Sequence, residues 1–268
     1  MLRLHPEPGF YLDMGANSAI DLSNTFALDR RGWRGVAVDP FPADFGSTAA
    51  NRTCAVVAAA VSGAGGMEVR FVRPVNNTAI GGILDTLDTH KNAALAAAGT
   101  RIVKLRTLGI RELLAGRSAD GSLPGNLPSV PRHIDYLSLD VEGQEATILE
   151  AWPFVTHSIG LITVEHNYEE PKRRRIREVL LHNGFHYAHH VDVDDWYVND
   201  TLYGHHAATS EPLTRPGTAA VGDVQSAWVQ ARKHVLSIAH YVLLMSLAVV
   251  IMTGGVALGG RWRARLMP

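Results

Sequence analysis

The chain has little cysteine and no excess of positive charge, and each shortage excludes a class of protein. Cys54 is the single cysteine among 268 residues, so neither an intrachain disulfide framework nor a cysteine-based zinc cluster can form. Lys and Arg number 25 against 26 Asp and Glu, which gives a formal net charge of −1. This balance argues against nucleic acid as the main partner, and we expect none.

Two common nucleotide-binding motifs are also absent. No glycine is followed by Lys and then Ser or Thr, which excludes a P-loop nucleoside triphosphatase. The Gly-x-Gly-x-x-Gly fingerprint of dinucleotide-binding proteins is missing as well. Because that fingerprint marks the usual NAD site, an NAD-type oxidoreductase is kept only as an alternative, which nicotinamide binding would favour.

The chain does have a globular composition and an alternating pattern. Hydrophobic residues make up 46% and charged residues 19%, which is normal for a packed core. Over residues 9–200, short apolar runs alternate with amphipathic stretches, which predicts an α/β fold with a Rossmann-like, mainly parallel sheet. Strands are expected at 10–14, 35–39, 54–61, 68–72, 101–105, 134–139 and 161–164, and helices at 21–31, 91–98, 108–114, 142–152 and 172–182. Residues 185–191 and 196–198 are expected to close the sheet as an antiparallel pair.

The C-terminal part of the chain has a different composition. Residues 204–222 are rich in Gly, Pro, Ser, Thr and Ala, which predicts a flexible linker. Residues 235–260 contain no charged side chain and exceed the ~20 residues that a helix needs to span a bilayer. We expect a catalytic domain at 1–203, a linker at 204–231, and a single-pass C-terminal transmembrane helix with a basic tail at 232–268, which holds the domain at a cytoplasmic face. A buried core helix is the alternative.

The first predicted strand ends in the motif Asp-Met-Gly-Ala-Asn, residues 13–17. An acidic residue followed by such a turn is typical of sites where backbone N–H groups and a helix N-terminus lie beside a ligand. Asp39 ends the next predicted strand, at a position that accepts hydrogen bonds from ribose hydroxyls in nucleoside-binding folds. Taken alone, the first motif would fit a structural turn equally well.

Two later strands also end in polar residues. The strand at 134–139 delivers Asp140 and Glu142 to the carboxyl edge of the sheet, where carboxylates can orient a substrate hydroxyl or ligate a divalent cation. Glu142 could instead interact with the dipole of the following helix. His166, after the strand at 161–164, is a candidate general base. Its alternative role is to position a loop.

These motifs, in this order and spacing, resemble those of the FkbM-type methyltransferases. The resemblance rests on residues 11–17, 22–25, 32–35, 39–40, 135–143 and 165–167 and covers about residues 9–200. It implies a class I methyltransferase fold, S-adenosylmethionine as cofactor, and O-methylation of a hydroxyl on a sugar, glycolipid or natural product.

The resemblance also implies roles for individual residues. Asp13, Gly15 and Asn17 would line the methionine end of the cofactor, Asp39 would meet the ribose, and Asp140 would face the transferring methyl group. We expect alignment of the reactants to supply most of the catalysis.

The proton of the acceptor hydroxyl has several candidate bases. His166, Asp140 or Glu142 would remove it. If Asp140, Glu142 and Glu165 bind a divalent cation, that cation would acidify the hydroxyl directly. No metal ligand is assigned from the sequence.

Two departures from the family support an alternative function. Ala19 stands where the family usually has a glycine, and few residues precede the first strand. The alternative is a membrane-tethered, catalytically inactive binding or trafficking module with a methyltransferase fold. The basic run at residues 172–175 is expected to be a solvated helix face rather than a phosphate site.

Overall fold

A computed structural model describes residues 8–43, 45–47, 51–75, 81–87, 99–117 and 127–203. The predicted helix at 91–98, the predicted linker and the predicted C-terminal transmembrane helix lie outside these residues. Within the described ranges, no helix combines the length and the apolar character needed to cross a membrane.

The described residues form strands β1 to β11 and helices α1 to α5. The strands are β1 (Phe10–Met14), β2 (Arg34–Val38), β3 (Ala55–Val57), β4 (Ala60–Ser62), β5 (Glu68–Pro74), β6 (Gly82–Ile83), β7 (Thr100–Gly109), β8 (His133–Leu139), β9 (Ser158–Glu165), β10 (Phe185–Val191) and β11 (Asp194–Asn199). The helices are α1 (Phe26–Asp29), α2 (Ile110–Ala115), α3 (Glu145–Ala151), α4 (Glu170–His182) and α5 (Asp200–Tyr203).

The larger sheet has the strand order β10-β11-β9-β8-β1-β2-β3. From β9 to β3 each neighbouring pair is parallel, whereas β11 is antiparallel to both β9 and β10. The predicted α/β fold, with a mainly parallel sheet and a closing antiparallel pair, is confirmed. The strand order reverses at β1, between β2 and β8. The carboxyl ends of these strands therefore flank a topological switch point, where sheets of this kind bind ligands.

The central strands are buried on both faces, which is why they read as continuous apolar runs. Leu12, Leu137 and Ile162 lie side by side in β1, β8 and β9 and have no exposed surface. Helix α3 adds Ile148 to the same core, and α4 adds Ile176. This packing fixes the strand ends relative to one another.

A smaller sheet has the order β4-β7-β5-β6, and it corrects one prediction. The single strand expected at 54–61 is wrong, because that run is divided between β3 of the larger sheet and β4 of the smaller one. The chain changes sheets at Ala59, whose amide donates to the carbonyls of Asp39 and Val57, both at 3.2 Å. Apolar residues continue without a break from β3 into β4, so the pattern carries no mark of the division.

The helix predicted at 21–31 is wrong except for the single turn of α1. Serine hydroxyls hold the chain before α1 in turns. Ser18 Oγ accepts hydrogen bonds from the amides of Ile20 and Asp21, both at 3.3 Å, and Ser23 Oγ accepts one from Phe26 at 3.1 Å. Such local bonds between side chain and backbone compete with helical hydrogen bonds.

Other element boundaries also differ from prediction, and two of them have clear structural causes. The helix expected at 142–152 starts later, at Glu145, because Glu142 and Gly143 adopt φ of +61° and +116°, values outside the right-handed helical region. The strand expected at 101–105 is longer as β7, because it pairs along its length first with β5 and then with β4.

Candidate functional site

A cavity lies at the switch point, beside the carboxyl ends of β1, β2 and β8. Its polar and charged lining residues are Asn17, Asp21, Asp39, Asp140 and Glu142. The remaining lining residues are Gly15, Ala16, Leu22, Val38, Pro40, Ala59, Ala60, Val61, Phe71, Gly81, Ile83 and Val141. Five predicted site residues are thus brought together: Gly15, Asn17, Asp39, Asp140 and Glu142. Asp13 and His166 do not line the cavity.

Gly15 lies where the ends of β1 and β8 are in close contact beside the cavity. The amide of Asp140 donates to the carbonyl of Met14 at 2.9 Å, which holds the two strand ends together. Gly15 has φ of +86°, and a Cβ at this position would lie 1.6 Å from the carbonyl oxygen of Asp140. Only glycine satisfies both the backbone conformation and the space.

The backbone amides of the turn after β1 are used within the fold. Those of Gly15 and Ala16 donate to the carbonyl of Val38 at 2.9 and 3.1 Å, and that of Asn17 donates to Asp39 Oδ2 at 3.1 Å. The sequence suggested that such amides, with a helix N-terminus, would lie beside a ligand. Instead they join the end of β1 to the end of β2, and the next helix begins only at α1.

Asp39 lies in the cavity wall at the end of β2. Its Oδ2 accepts the Asn17 amide, and its Oδ1 accepts the Phe41 amide at 2.7 Å. Burial raises the pKa of Asp39 above the usual carboxyl value, against the effect of these two hydrogen bonds. Each carboxylate oxygen has a further acceptor position, so Asp39 can also accept hydroxyls from a ligand in the cavity.

Asp13 lies behind the turn rather than in the cavity wall. It is 3% exposed, and its Oδ2 accepts a hydrogen bond from the Thr25 hydroxyl at 2.5 Å. Burial raises its pKa. In this position Asp13 ties β1 to the chain before α1, and direct contact with a cofactor stays a prediction.

Ala19 fits its position without backbone strain. It does not adopt a positive φ, and its side chain is fully buried. Its amide donates to the carbonyl of Ala43 at 3.2 Å, and its carbonyl accepts a hydrogen bond from Arg52 at 2.8 Å. The conformational freedom of glycine is therefore not needed here. Alanine in place of the family's usual glycine leaves the turn unstrained.

The turn after β8 carries Asp140 and Glu142, and Glu145 holds it. One oxygen of Glu145 accepts the amides of Val141 and Gly143 at 3.0 and 3.1 Å. The other oxygen lies 3.1 Å from Lys172 Nζ. Glu145 has no exposed surface, and burial raises its pKa although the Lys172 charge lowers it. This buried carboxylate therefore fixes the turn.

Three carboxylates converge beside the turn. One oxygen each from Asp140, Glu145 and Glu165 lies within 4.8 Å of the others, a set of hard oxygen donors that suits a divalent cation. The sequence placed Glu142 in such a set, and the structure places Glu145 there instead. The Lys172 ammonium already supplies a positive charge to Glu145, so a metal ion would share the set with it.

Asp194 adds a fourth carboxylate to this edge of the sheet. It begins β11 and lies opposite Glu165 of β9 in the antiparallel register. Burial raises the pKa of Asp194 to about 7, and the negative charge of Glu165 contributes in the same direction. Asp194 is thus a group that changes its charge near neutral pH.

His166 follows β9 and is almost completely buried. Its Nδ1 accepts the Tyr168 amide at 3.0 Å, and its Nε2 lies 3.6 Å from Asp195 Oδ1. Burial lowers the pKa of His166, and the nearby charge of Arg173 lowers it further. A neutral ring held between a loop amide and a carboxylate fits the loop-positioning alternative, and the role of general base stays a prediction.

The basic run at residues 172–175 is only partly solvated. The prediction of a solvated side chain is wrong for Lys172, which is buried against Glu145. Arg173 makes two hydrogen bonds to Asp195, at 2.6 and 2.8 Å. Arg175 makes a similar exposed pair with Glu150. Carboxylates therefore neutralise most of this run.

Glu145, Lys172 and Asp194 were not predicted as site residues. Glu145 carries a weak signal, since an acidic residue in the first turn of a helix interacts well with the helix dipole. Lys172 reads as one of four consecutive basic residues, and no spacing rule pairs it with Glu145. Asp194 reads as a surface residue among the acidic residues at 192, 194 and 195.

Comparison with known families gives one match. The family model described as methyltransferase FkbM domain matches residues 13–187, which is well over half of the chain. No curated protein and no solved structure matches the chain. The matched range begins at Asp13, contains all residues predicted for the site, and ends within β10.

Proposed function

The chain belongs to the methyltransferase FkbM domain family, and we propose that it transfers a methyl group from S-adenosylmethionine to a hydroxyl of a small molecule. We further propose that the acceptor is a sugar, a glycolipid or a natural product. The single observation that carries the proposal is the cavity at the switch point. There, Asp39 at the end of β2 and Asp140 at the end of β8 flank the turn of β1.

The lining residues suit each part of the proposed cofactor. Asp39 would accept the ribose hydroxyls, and Phe71 and Ile83 provide apolar surface for an adenine ring. Gly15 lets the ends of β1 and β8 approach closely where the methionine part would lie, and the Asp140 carboxylate complements a positive charge. When bound, S-adenosylmethionine supplies a methyl group activated by a sulfonium.

The protein has two chemical tasks in this reaction. It aligns the acceptor oxygen with the methyl carbon, so that a carbon–oxygen bond forms as the carbon–sulfur bond breaks. It also takes the hydroxyl proton. We assign this proton to Asp140, because Asp140 lines the cavity and lies among carboxylates, whereas His166 does not line the cavity.

Calorimetric titration of the full-length protein with S-adenosylmethionine tests the first step. Saturable 1:1 binding is expected, and no binding by protein shown to be folded would defeat the proposal. Transfer of labelled methyl groups to glycan, lipid and small-molecule fractions then identifies the acceptor. Incorporation that Asp140→Asn abolishes is the expected result. Incorporation that is unchanged in that variant contradicts the assignment of the base.

We also propose that residues 235–260, which lie outside the described residues, anchor the protein in a membrane. The support is their length and the absence of charge over the whole run. A span would hold the methyltransferase at a cytoplasmic membrane face, close to lipid-linked acceptors. Retention of the full chain in membranes after carbonate extraction is expected, and its release would contradict the anchor.

A further inference from the structure

Arg52 lies next to the loop that forms one wall of the cavity, yet it does not line the cavity. We define the cavity loop as residues 15–25. Its members at 15–17, 21 and 22 line the cavity. The members at 19, 23 and 25 do not, and all three contact the Arg52 guanidinium. The cavity loop therefore lies between the proposed cofactor and a single buried arginine.

The guanidinium uses its full set of donors. Its five N–H groups are matched by five acceptors. These are the Ala19 carbonyl at 2.8 Å, Ser23 Oγ at 3.2 Å, Thr25 Oγ1 at 2.8 Å, the Tyr11 hydroxyl at 3.0 Å and Asp29 Oδ2 at 3.2 Å. Three acceptors belong to the cavity loop, one to β1 and one to α1. One side chain thus joins the loop to both elements that flank it.

Burial and charge make this arrangement specific for arginine. The side chains of Arg52 and Asp29 are both 1% exposed, so the ion pair is shielded from water. Thr25 Oγ1 accepts from Arg52 and donates to Asp13 Oδ2, which extends the network to the acidic residue of β1. The guanidinium also lies 5.4–5.9 Å from the ring centroids of three aromatic residues. They are Tyr11, Phe26 and Phe45.

Backbone hydrogen bonds to Val38 and Ala43 hold residues 15–19 of the cavity loop, whereas its remaining part depends mainly on side-chain contacts. Asn17 and Leu22 adopt positive φ values of 44° and 58°, which residues other than glycine adopt only when surrounding contacts hold them. The loop contains no helix or strand. On the side away from the cavity, the contacts to Arg52 join the loop to β1 and α1.

We propose that Arg52 is the positioning residue of the cofactor site: its five hydrogen bonds hold the cavity loop in the conformation that binds S-adenosylmethionine. The identity of the ligand rests on the proposed function. The positioning of the loop rests on the contacts alone. A lysine provides the same charge but only three donors and no planar fork, so Arg52→Lys separates the geometry of the guanidinium from its charge.

Two measurements test this role. In calorimetric titration, Arg52→Lys is expected to weaken S-adenosylmethionine binding roughly tenfold or more, the effect of one charge-assisted hydrogen bond or more. KM for the cofactor is expected to rise more than kcat falls. Leu180→Ala is the control, because it truncates a buried core residue of α4 that does not line the cavity. It is expected to lower Tm without changing Kd.

Hydrogen exchange of the ligand-free protein gives the second readout. Arg52→Lys is expected to speed exchange of the cavity-loop amides, including that of Ala19, and to leave the β8 amides unchanged. If the loop exchanges at the wild-type rate, the inference is overturned, whether or not the wild type binds S-adenosylmethionine. Failure of the wild type to bind, with faster loop exchange in the variant, would overturn the proposed function alone.

Thr25→Val provides a milder variant if Arg52→Lys does not fold. It keeps the shape of the side chain and removes one acceptor of Arg52 together with the donor to Asp13. A smaller change in the same two measurements is expected. A Tm loss with unchanged Kd and unchanged loop exchange would show that the network is merely structural and would contradict the positioning role.

Discussion

The ammonium of Lys172 lies 3.1 Å from Oε2 of Glu145, and both side chains are buried. The two residues belong to the first turns of α4 and α3. Glu145 also accepts two amides of the turn after β8, which presents Asp140 to the cavity. The Glu145 carboxylate thus binds both the Lys172 ammonium and the turn after β8. The position of Asp140 therefore depends on how α3 and α4 pack together.

Removal of the ammonium should therefore be costly. Lys172→Met leaves the Glu145 charge buried without this partner, and we expect a loss of about 3–5 kcal/mol in the free energy of unfolding. The folded-state pKa of Glu145 is raised, so stability falls as pH rises through that value. Without Lys172 the pKa rises further, and the loss should be larger at pH 8 than at pH 5.5. Urea unfolding at both pH values measures this. An equal loss at both would contradict the ion pair.

Asp194 should make the protein less stable as the solution approaches neutral pH. Its folded-state pKa of about 7 lies above the ordinary value of 3.8, so its contribution is lost as pH rises between these values. Asp194→Asn removes the titration, and we expect the variant to be more stable than the wild type at pH 8 by at least about 1 kcal/mol. Below pH 4 the difference should vanish. Denaturant titrations of both proteins at several pH values measure this difference in the free energy of unfolding. A difference that does not change with pH would contradict the raised pKa of Asp194.

Gly15→Ala should disrupt the close approach of the β1 and β8 ends. A methyl group would overlap the carbonyl of Asp140, and φ of +86° adds strain. We expect a loss of at least about 2 kcal/mol in stability and no detectable binding of S-adenosylmethionine. Gly46→Ala is the matched control, because a Cβ there meets no atom within 4 Å. Wild-type binding by Gly15→Ala would mean that the strand ends can separate freely.

His166 and Asp140 should differ sharply when each is replaced. Asp140→Asn is expected to lower kcat by about 10²–10⁴-fold, the usual contribution of a general base. His166→Gln should reduce kcat only a few fold. The pKa of His166 is lowered, so the wild type loses stability as pH falls below the ordinary histidine value, and the variant should lose less. A collapse of kcat in His166→Gln, with intact cofactor binding, would restore His166 as the base.

The sheet and the ends of its strands were predictable because both depend on local chemistry. Buried parallel strands read as apolar runs, and the polar residues that end them meet at one edge of the sheet. On this basis Asp39 and Asp140 were placed correctly at the carboxyl ends of β2 and β8. The helix expected over 21–31 failed for an equally local reason, because the Ser23 hydroxyl takes the Phe26 amide and Leu22 adopts φ of +58°.

The contacts that hold the site in place could not be predicted in the same way. Lys172 meets Glu145, and Arg52 meets the cavity loop, across long separations in the chain. Neither pair has a periodic or spacing signal, since the fold alone brings its members together. Burial then gives these residues roles that their sequence context does not indicate. Lys172, one of four consecutive basic residues, becomes the counter-ion of the buried Glu145 carboxylate.

Glu142 stands at φ of +61° and is 5% exposed. Glycine would adopt this backbone conformation with less strain, by about 1 kcal/mol or more. The chain nevertheless carries a carboxylate at this position, next to Gly143, which has φ of +116°. We therefore expect the side chain of Glu142, rather than its backbone conformation, to matter for function. Exhaustive substitution at residue 142, scored separately for abundance and for methylation, should therefore rank glycine high for the first and low for the second.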